Sequence, residues 1–386
     1  MTTDHPPNGA PPDRLPPNAG PDPVPGRLAR LRSLMEIEKV GALYITCPEN
    51  RRYFSGFSPA DPMLSESSGS LLILPGAQYL ITDGRYTTVA GMEAPLFEVV
   101  PAGAGGPGEN LAKLLPEGSD FFFEPRYLSV HSLRIIAKQL GSRVANCLGA
   151  PFDPSLLRSS KSPDEVALIA RALEITEQSM AELWENVEPG WTEERAALFM
   201  DDGFRRRGAQ GPAFETILAS GPQAALPHAV PGPRVIGEGE MVVIDCGARY
   251  RGYASDITRT YVAGEPEEWQ KNIYRAVREA QLLALEAVRP GAVCREVDAV
   301  ARGHITKAGF GEFFTHSLGH GVGLAVHEAP SLNPRNEGLL LPGHVVTVEP
   351  GIYLPGRGGV RLEQLVLVTE TGSRLLNRDE HFYDFG

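Results

Sequence analysis

The chain has 386 residues, 42% of them hydrophobic, and a formal net charge of −12. That length suits two domains with filled cores, and the acidic balance excludes the basic patches that nucleic acid or an anionic membrane surface would need. No apolar run approaches the ~18 residues of a membrane span, and Cys47, Cys147, Cys246 and Cys294 are scattered with no CxxC pair, which argues for a reducing, cytoplasmic setting without a disulfide framework or thiolate zinc site.

The first 25 residues hold nine prolines and no apolar core of signal-peptide length, so a disordered tail is expected there. Residues 26–150 read as an α/β domain. Leu28, Leu31, Met35 and Ile37 recur at roughly helical spacing, then ALYIT, GSLLILP and QYLITDG read as short strands, and LSVHSLRIIAKQL reads as a helix. Asp83, Arg85 and Tyr86 make no chemical constellation and read as structural or interface residues. A Pro- and Ser-rich stretch at 151–161 reads as a linker. Ser162, Pro163 and Glu165 then form a helix start, with an N-cap serine, a first-turn proline and a capping-box acid. Val166, Ile169, Leu173, Met180, Leu183 and Val187 mark one face of the helix, which should stop at Pro189-Gly190.

Residues 162–386 read as a duplicated domain. Each half runs long helix, Pro-Gly, second helix, strands and a pair of acids. In the first half MVVIDCGARYRGYASDITRTY reads as a hairpin presenting Asp245 and, eleven positions later, Asp256. In the second half VVTVEP puts Glu349 at a strand end and GVRLEQLVLV puts Glu363 within a strand. The prolines at 189 and 290 precede the first acid of each pair by 56 and 59 residues, although the two halves share little residue identity.

Four carboxylates in strand-like, buried sequence must be protonated, paired with cations or neutralised by metal, since one unpaired buried carboxylate costs several kcal/mol. Their formal charge matches two divalent cations. Arg361 could neutralise Glu363, because residues two apart on a strand share a face, but one arginine cannot neutralise four acids. THSLGHGVGLAVHEAP adds His316, His320 and His327 among glycines that permit close approach. A histidine with four carboxylates makes a hard site suited to Mn²⁺ or Co²⁺ more than to structural zinc. His316 and His320 have HxxxH spacing, but the glycines and the missing glutamate argue against a zinc-binding helix.

DCGARYRGYASDITRT, HSLGHGVGLAVHE, VTVEPGIY and GGVRLE resemble the signature segments of the Xaa-Pro peptidases, the prolidase and aminopeptidase P branch of the methionine-aminopeptidase-like metallopeptidases. TDGRY resembles the creatinase-type N-terminal domain of that family, and residues 162–386 resemble its pita-bread catalytic domain. The resemblance implies a homodimeric enzyme that binds two divalent metal ions, Mn²⁺ first and Co²⁺ or Zn²⁺ as alternatives, on Asp245, Asp256, His320, Glu349 and Glu363, with Asp256 and Glu363 bridging. It implies Glu349 as general base and acid, His327 as donor to the carbonyl oxygen, His316 as a substrate contact, His228 as a group packing on the proline side, and Arg361 beside the bridging glutamate. Phe214 is a candidate wall for the proline ring. Arg357 and Arg335 are candidates for a dipeptide's free carboxylate, which an arginine fork recognises best. Gln364 stands where the family usually has Asp, and Ala325 where many members have Glu; Gln364 should face away from the metals. The implied substrates are proline-containing peptides, with an Xaa-Pro dipeptidase favoured over an aminopeptidase P acting on longer chains. Methionine aminopeptidase, a metal-free creatinase-like hydrolase and a non-catalytic binding protein are the further alternatives.

Overall fold

The structure is a computed structural model that describes residues 23–61, 63–64, 66–188, 190–379 and 381–383. The Pro-rich stretch therefore lies almost wholly outside the described residues, as does Pro189. The chain divides into two compact units, with the change falling between Arg158 and Ser159.

In the first unit, α1 (Val24–Ile37) buries Leu28, Leu31, Leu34 and Met35. Ile37, expected on that face, is instead 55% exposed, because the helix ends there and the stripe completes itself through Leu34. The strands are β1 (Leu43–Ile45), β2 (Ser70–Ile73), β3 (Gln78–Thr82), β4 (Glu98–Pro101), β5 (Ser119–Phe123) and β6 (Val144–Gly149), in the sheet order β4-β3-β2-β1-β5-β6. The pairs β3/β4, β1/β5 and β5/β6 are parallel, and β1/β2 and β2/β3 are antiparallel. Between the strands come α2 (Pro48–Ser55), α3 (Thr87–Glu93), α4 (Pro107–Leu114) and α5 (Val130–Leu140). Leu111 of α4, with Ile136 and Leu140 of α5, closes a core over Tyr44, Leu72, Ile81, Phe121 and Phe123. Asp83 and Arg85 pair with each other at the surface.

The second unit opens on α6 (Pro163–Asn186), whose capping box is formed reciprocally by Ser162 and Glu165. α7 (Glu193–Arg206) follows, capped by the Thr192 side chain. Next come β7 (Gly211–Pro212), β8 (Ile217–Ser220), β9 (Met241–Cys246), β10 (Ala248–Tyr250), β11 (Tyr253–Ala254) and β12 (Ile257–Val262). The second half repeats the plan with α8 (Glu268–Ala287), α9 (Cys294–Lys307), β13 (Gly319–Gly321), β14 (Glu328–Leu332), β15 (Val345–Val348), β16 (Gly351–Leu354), β17 (Gly358–Arg361) and β18 (Gln364–Val368), ending in β19 (Ser373–Leu375). Its sheets are β12-β9-β8, β11-β10-β7, β14-β13-β15-β18-β19 and β16-β17. Ile273, Val277 and Ala280 of α8 pack with Val297 and Ala301 of α9 against Val346, Val348, Val366 and Val368. Full burial of a Val, Leu or Ile is worth about 1.5–3 kcal/mol, so this face holds the sheet that carries the second acid pair.

The repeat is sharper in the structure than in the sequence, and it corrects the hairpin reading. β9 and β12 are antiparallel partners, but β10 and β11 form a separate hairpin between them. β15 and β18 pair in the same way around the β16–β17 hairpin. GVRLEQLVLV is thus two strands in two sheets, broken at Leu362-Glu363, rather than one strand carrying Glu363.

Candidate metal centre

Asp245 is the fifth residue of β9, Asp256 immediately precedes β12, Glu349 immediately follows β15 and Glu363 immediately precedes β18. All four are therefore held at strand ends whose registers are fixed by ladder hydrogen bonds. His320 is the middle residue of β13, where a Cβ on neighbouring Gly319 would collide with the Thr347 carbonyl. Its backbone N–H donates to Thr347 Oγ1 at 3.0 Å.

These residues converge in three overlapping sets: Asp245, Asp256 and Glu363; His320, Glu349 and Glu363; Asp256, His320 and His327. Within each set, one donor atom per residue lies within 4.8 Å of the others. His320 Nε2 is 3.2 Å from Glu349 Oε1 and 3.6 Å from Asp256 Oδ2. Its Nδ1 faces the Gly321 carbonyl at 3.2 Å, which requires the proton on Nδ1 and leaves Nε2 facing the carboxylates, where it donates to Glu349 while protonated and would offer its lone pair to a metal once that proton is lost.

The electrostatics show why a cation belongs here. Burial, then the charges of Glu363, Asp245 and Glu349, push the Asp256 carboxyl well above the usual range. Burial, then Glu349 and Asp245, do the same to Glu363. Burial also opposes ionisation of Glu349, but the hydrogen bond and charge of His320, backed by Arg361, hold it at about 2. Asp245 Oδ1 and Glu363 Oε1 are buried with no hydrogen-bond partner among the described residues. An acid cluster with unsatisfied inward oxygens and an imidazole lone pair fits divalent cations.

Arg361 does not neutralise Glu363, as strand periodicity suggested. β17 ends at Arg361 and β18 begins after Glu363, so the two do not share one strand face, and Nη2 of Arg361 reaches Asp245 Oδ2 at 2.5 Å. Its Nη1 donates to Tyr353 OH at 2.7 Å and to Pro227 O at 3.3 Å, and Nε donates to Thr258 Oγ1 at 3.1 Å. Thr258 in turn donates to Glu363 Oε2 at 2.7 Å. His316 faces Ser317 O through Nδ1 at 2.8 Å and Tyr353 OH through Nε2 at 2.9 Å. Burial lowers its pKa, so a neutral ring that donates from Nδ1 and accepts from the tyrosine satisfies both contacts. Arg302 and Asp298 of α9 hold this loop, with Arg302 donating to Phe314 O and His316 O and Asp298 accepting from Leu318 N.

Tyr353, Thr258 and the Asp298–Arg302 pair were not singled out from the sequence. Thr258 lies two residues after Asp256, a spacing that could have marked a shared face. Tyr353 stood inside a quoted motif without a role. The sequence candidates at the rim are placed unequally. His327 is exposed, with its ring nearly perpendicular to that of His320 at 4.3 Å. His228 is exposed beside Pro227, whose carbonyl Arg361 holds. Phe214 is half-buried, with its ring edge against Gly247. Gln364 is buried and its Oε1 has no hydrogen bond among the described residues. Arg357 lies in the β16–β17 turn, stacked on Trp269 at 4.3 Å and at the opposite end of the hairpin from Arg361, so it is not brought to the cluster. Arg335 is exposed in the loop after β14.

Residues 167–370, more than half of the chain, match metallopeptidase family M24, and residues 27–150 match the Creatinase/Prolidase N-terminal domain. The chain belongs to metallopeptidase family M24. This peptidase is 37% identical over 363 residues to the Xaa-Pro dipeptidase of Pyrococcus furiosus, covering 92% of this chain and 98% of that one. It is similar in structure to an Xaa-Pro dipeptidase from Bacillus anthracis (TM-score 0.85, 34% identity, 92% of this chain and 98% of that chain). It is also similar to an X-Pro aminopeptidase from Thermotoga maritima (TM-score 0.78, 36% identity, 88% and 96%). The M24 peptidase thus has the creatinase-type domain followed by a pita-bread catalytic domain, and it uses divalent metal. None of its described helices is long and apolar enough to cross a membrane.

Proposed function

We propose that this peptidase hydrolyses Xaa-Pro dipeptides using two divalent cations that Asp245, Asp256, His320, Glu349 and Glu363 would hold. The observation that carries this reading is the overlap of the donor sets, in which Asp256, His320 and Glu363 each serve two. The relatives named dipeptidases support the dipeptide. Mn²⁺ is the proposed metal, because four of the five donors are carboxylates. A homodimer in the cytoplasm completes the proposal; four unpaired thiols, three of them buried, suit a reducing compartment.

When bound, the cations would lower the pKa of water and stabilise negative charge on the scissile carbonyl oxygen. The remaining tasks fall to the chain. Glu349, kept ionised, takes the proton of the attacking water and returns it to the prolyl nitrogen, which as a tertiary amide carries no hydrogen of its own. His327, at the open edge, donates to the carbonyl oxygen. Arg361 fixes Asp245 and, through Tyr353, the ring of His316, which contacts the substrate. Phe214 and His228 border the proline side.

The experiment is a panel of Xaa-Pro, Xaa-Pro-amide, Xaa-Pro-Yaa and Xaa-Ala substrates with Mn²⁺, Co²⁺ and Zn²⁺. Xaa-Pro should be cleaved fastest, and amidation should raise KM. The second reading, an aminopeptidase P, is favoured by the likeness to the Thermotoga enzyme and predicts faster cleavage of the longer peptides. Cleavage of Met-Ala without Xaa-Pro would overturn both.

A further inference from the structure

We infer that Lys161 is a positioning residue for His327, acting through a buried ion pair with Glu328. Lys161 lies just before α6, where its backbone N–H donates to Gly343 O at 2.8 Å and Ser160 bridges His344. Its side chain is 1% exposed, and Nζ sits 2.7 Å from Glu328 Oε1 and 3.0 Å from Ser159 O. The Glu328 side chain is 4% exposed and begins β14. Its carboxylate occupies the space that a Cβ at Gly323 would need, and Oε2 accepts from Ala325 N at 3.4 Å. Glu328 thus lies under the turn 323–327. The rest of that turn is held by its own Gly323 N–H to Ala325 O, by Ala254 N–H to Gly323 O and by Arg249 Nη1 to Leu324 O.

His327 ends that turn and directly precedes Glu328. Its exposed ring makes no hydrogen bond among the described residues and meets only the edge-on ring of His320, so its place depends on the backbone on either side. A buried ion pair adds little net stability, because desolvation offsets the attraction, but it allows one position for the carboxylate. What this pair supplies is geometry at 327. Misplacing a reacting group by about 1 Å can cost on the order of 100-fold in rate.

The inference rests on the reading that His327 serves the reaction, so the test separates the two. The metal-loaded full chain is compared as wild type, K161M, E328Q and H327A, and as K161M and E328Q each combined with H327A. K161M and E328Q should each lower kcat by about 10-fold to 100-fold, with KM within about twofold and metal content unchanged. In the H327A background neither change should lower kcat further, since coupled residues are not additive. An equal fold-loss with and without His327, a loss of metal, or an effect confined to KM would overturn the inference. Should K161M not fold, E328Q, which keeps the side chain's shape, decides the same comparison. The imidazole signal of His327 in ¹⁵N-histidine-labelled protein gives a readout apart from turnover. It should move in K161M and E328Q while that of His381 stays; an unmoved His327 signal overturns the inference. If H327A turned over at the wild-type rate, the catalytic reading of His327 would fail, and the signal would still decide whether Lys161 positions it.

Discussion

In the first half of the catalytic unit, β9 and β12 carry Asp245 and Asp256 around the β10–β11 hairpin; in the second, β15 and β18 carry Glu349 and Glu363 around β16–β17. The inserted hairpins have diverged in use. β10–β11 serves as bracing: Ala248 N–H donates to Thr176 and Ser255, and Arg249 ties the hairpin to the loops at Ala213 and Leu324. β16–β17 reaches into the cluster with Tyr353 and Arg361. The halves also hold each other's acids, since Arg361 of the second secures Asp245 of the first while Thr258 of the first secures Glu363 of the second. One scaffold plan thus gives a supporting hairpin in one half and an operating hairpin in the other, with the halves joined by crossed contacts.

The largest expected effect comes from one acid of each half, Asp256 and Glu363. Asp256→Asn and Glu363→Gln each remove a charge from a position shared by two donor sets. Either should lower turnover by about 1000-fold or more and reduce bound metal, measured by peptide hydrolysis and elemental analysis. Near-wild-type turnover in one of them would break the equivalence of the halves. A smaller effect is expected from the crossed contact itself. Thr258→Val deletes the hydroxyl between Arg361 and Glu363, and metal affinity should fall by about 10-fold to 100-fold while turnover at saturating metal largely survives. An unchanged metal titration would show that the halves hold their acids independently.

How much of this could be read from the chain varies with the kind of signal. The α6 start was legible because Ser162, Pro163 and Glu165 act within one turn. The acids were legible as a set, because two pairs of carboxylates fall on apolar runs in matched halves, although Glu363 was read within a strand and stands between two. Arg361 was misjudged because strand periodicity assumes an unbroken strand, and nothing local marks Leu362 as the point where the chain changes sheets. The Lys161–Glu328 pair spans 167 positions, so no spacing rule could have joined them.

The smallest expected effect is silent at neutral pH. β9 is entered from Glu240, paired with Arg234, and β15 from His344, which is buried. The Arg234 hydrogen bond lowers the Glu240 pKa, so the stability it contributes is present above the ordinary 4.5 and lost as pH falls through the folded value. Burial, then Lys161, lowers His344 to about 3, and its Nδ1 accepts from Leu341 N. Below the ordinary value of 6.5 the unfolded chain takes up a proton that folded His344 refuses, so stability falls as pH drops from there toward 3, by at most about 1.4 kcal/mol per pH unit. His344→Asn, which keeps an acceptor, should flatten denaturant-measured stability between those limits. An unaltered slope would mean that the entry to β15 is no more acid-sensitive than the entry to β9.

The crossed contacts bear on how such a unit could be taken apart. Arg361 of the second half holds an acid of the first and Thr258 of the first holds an acid of the second, so neither half alone keeps its acids in place. Residues 263–267 lie exposed or half-exposed between β12 and α8, where the two halves meet in the chain. They are also the place where the unit could be cut into two fragments with a built-in reason to find each other again.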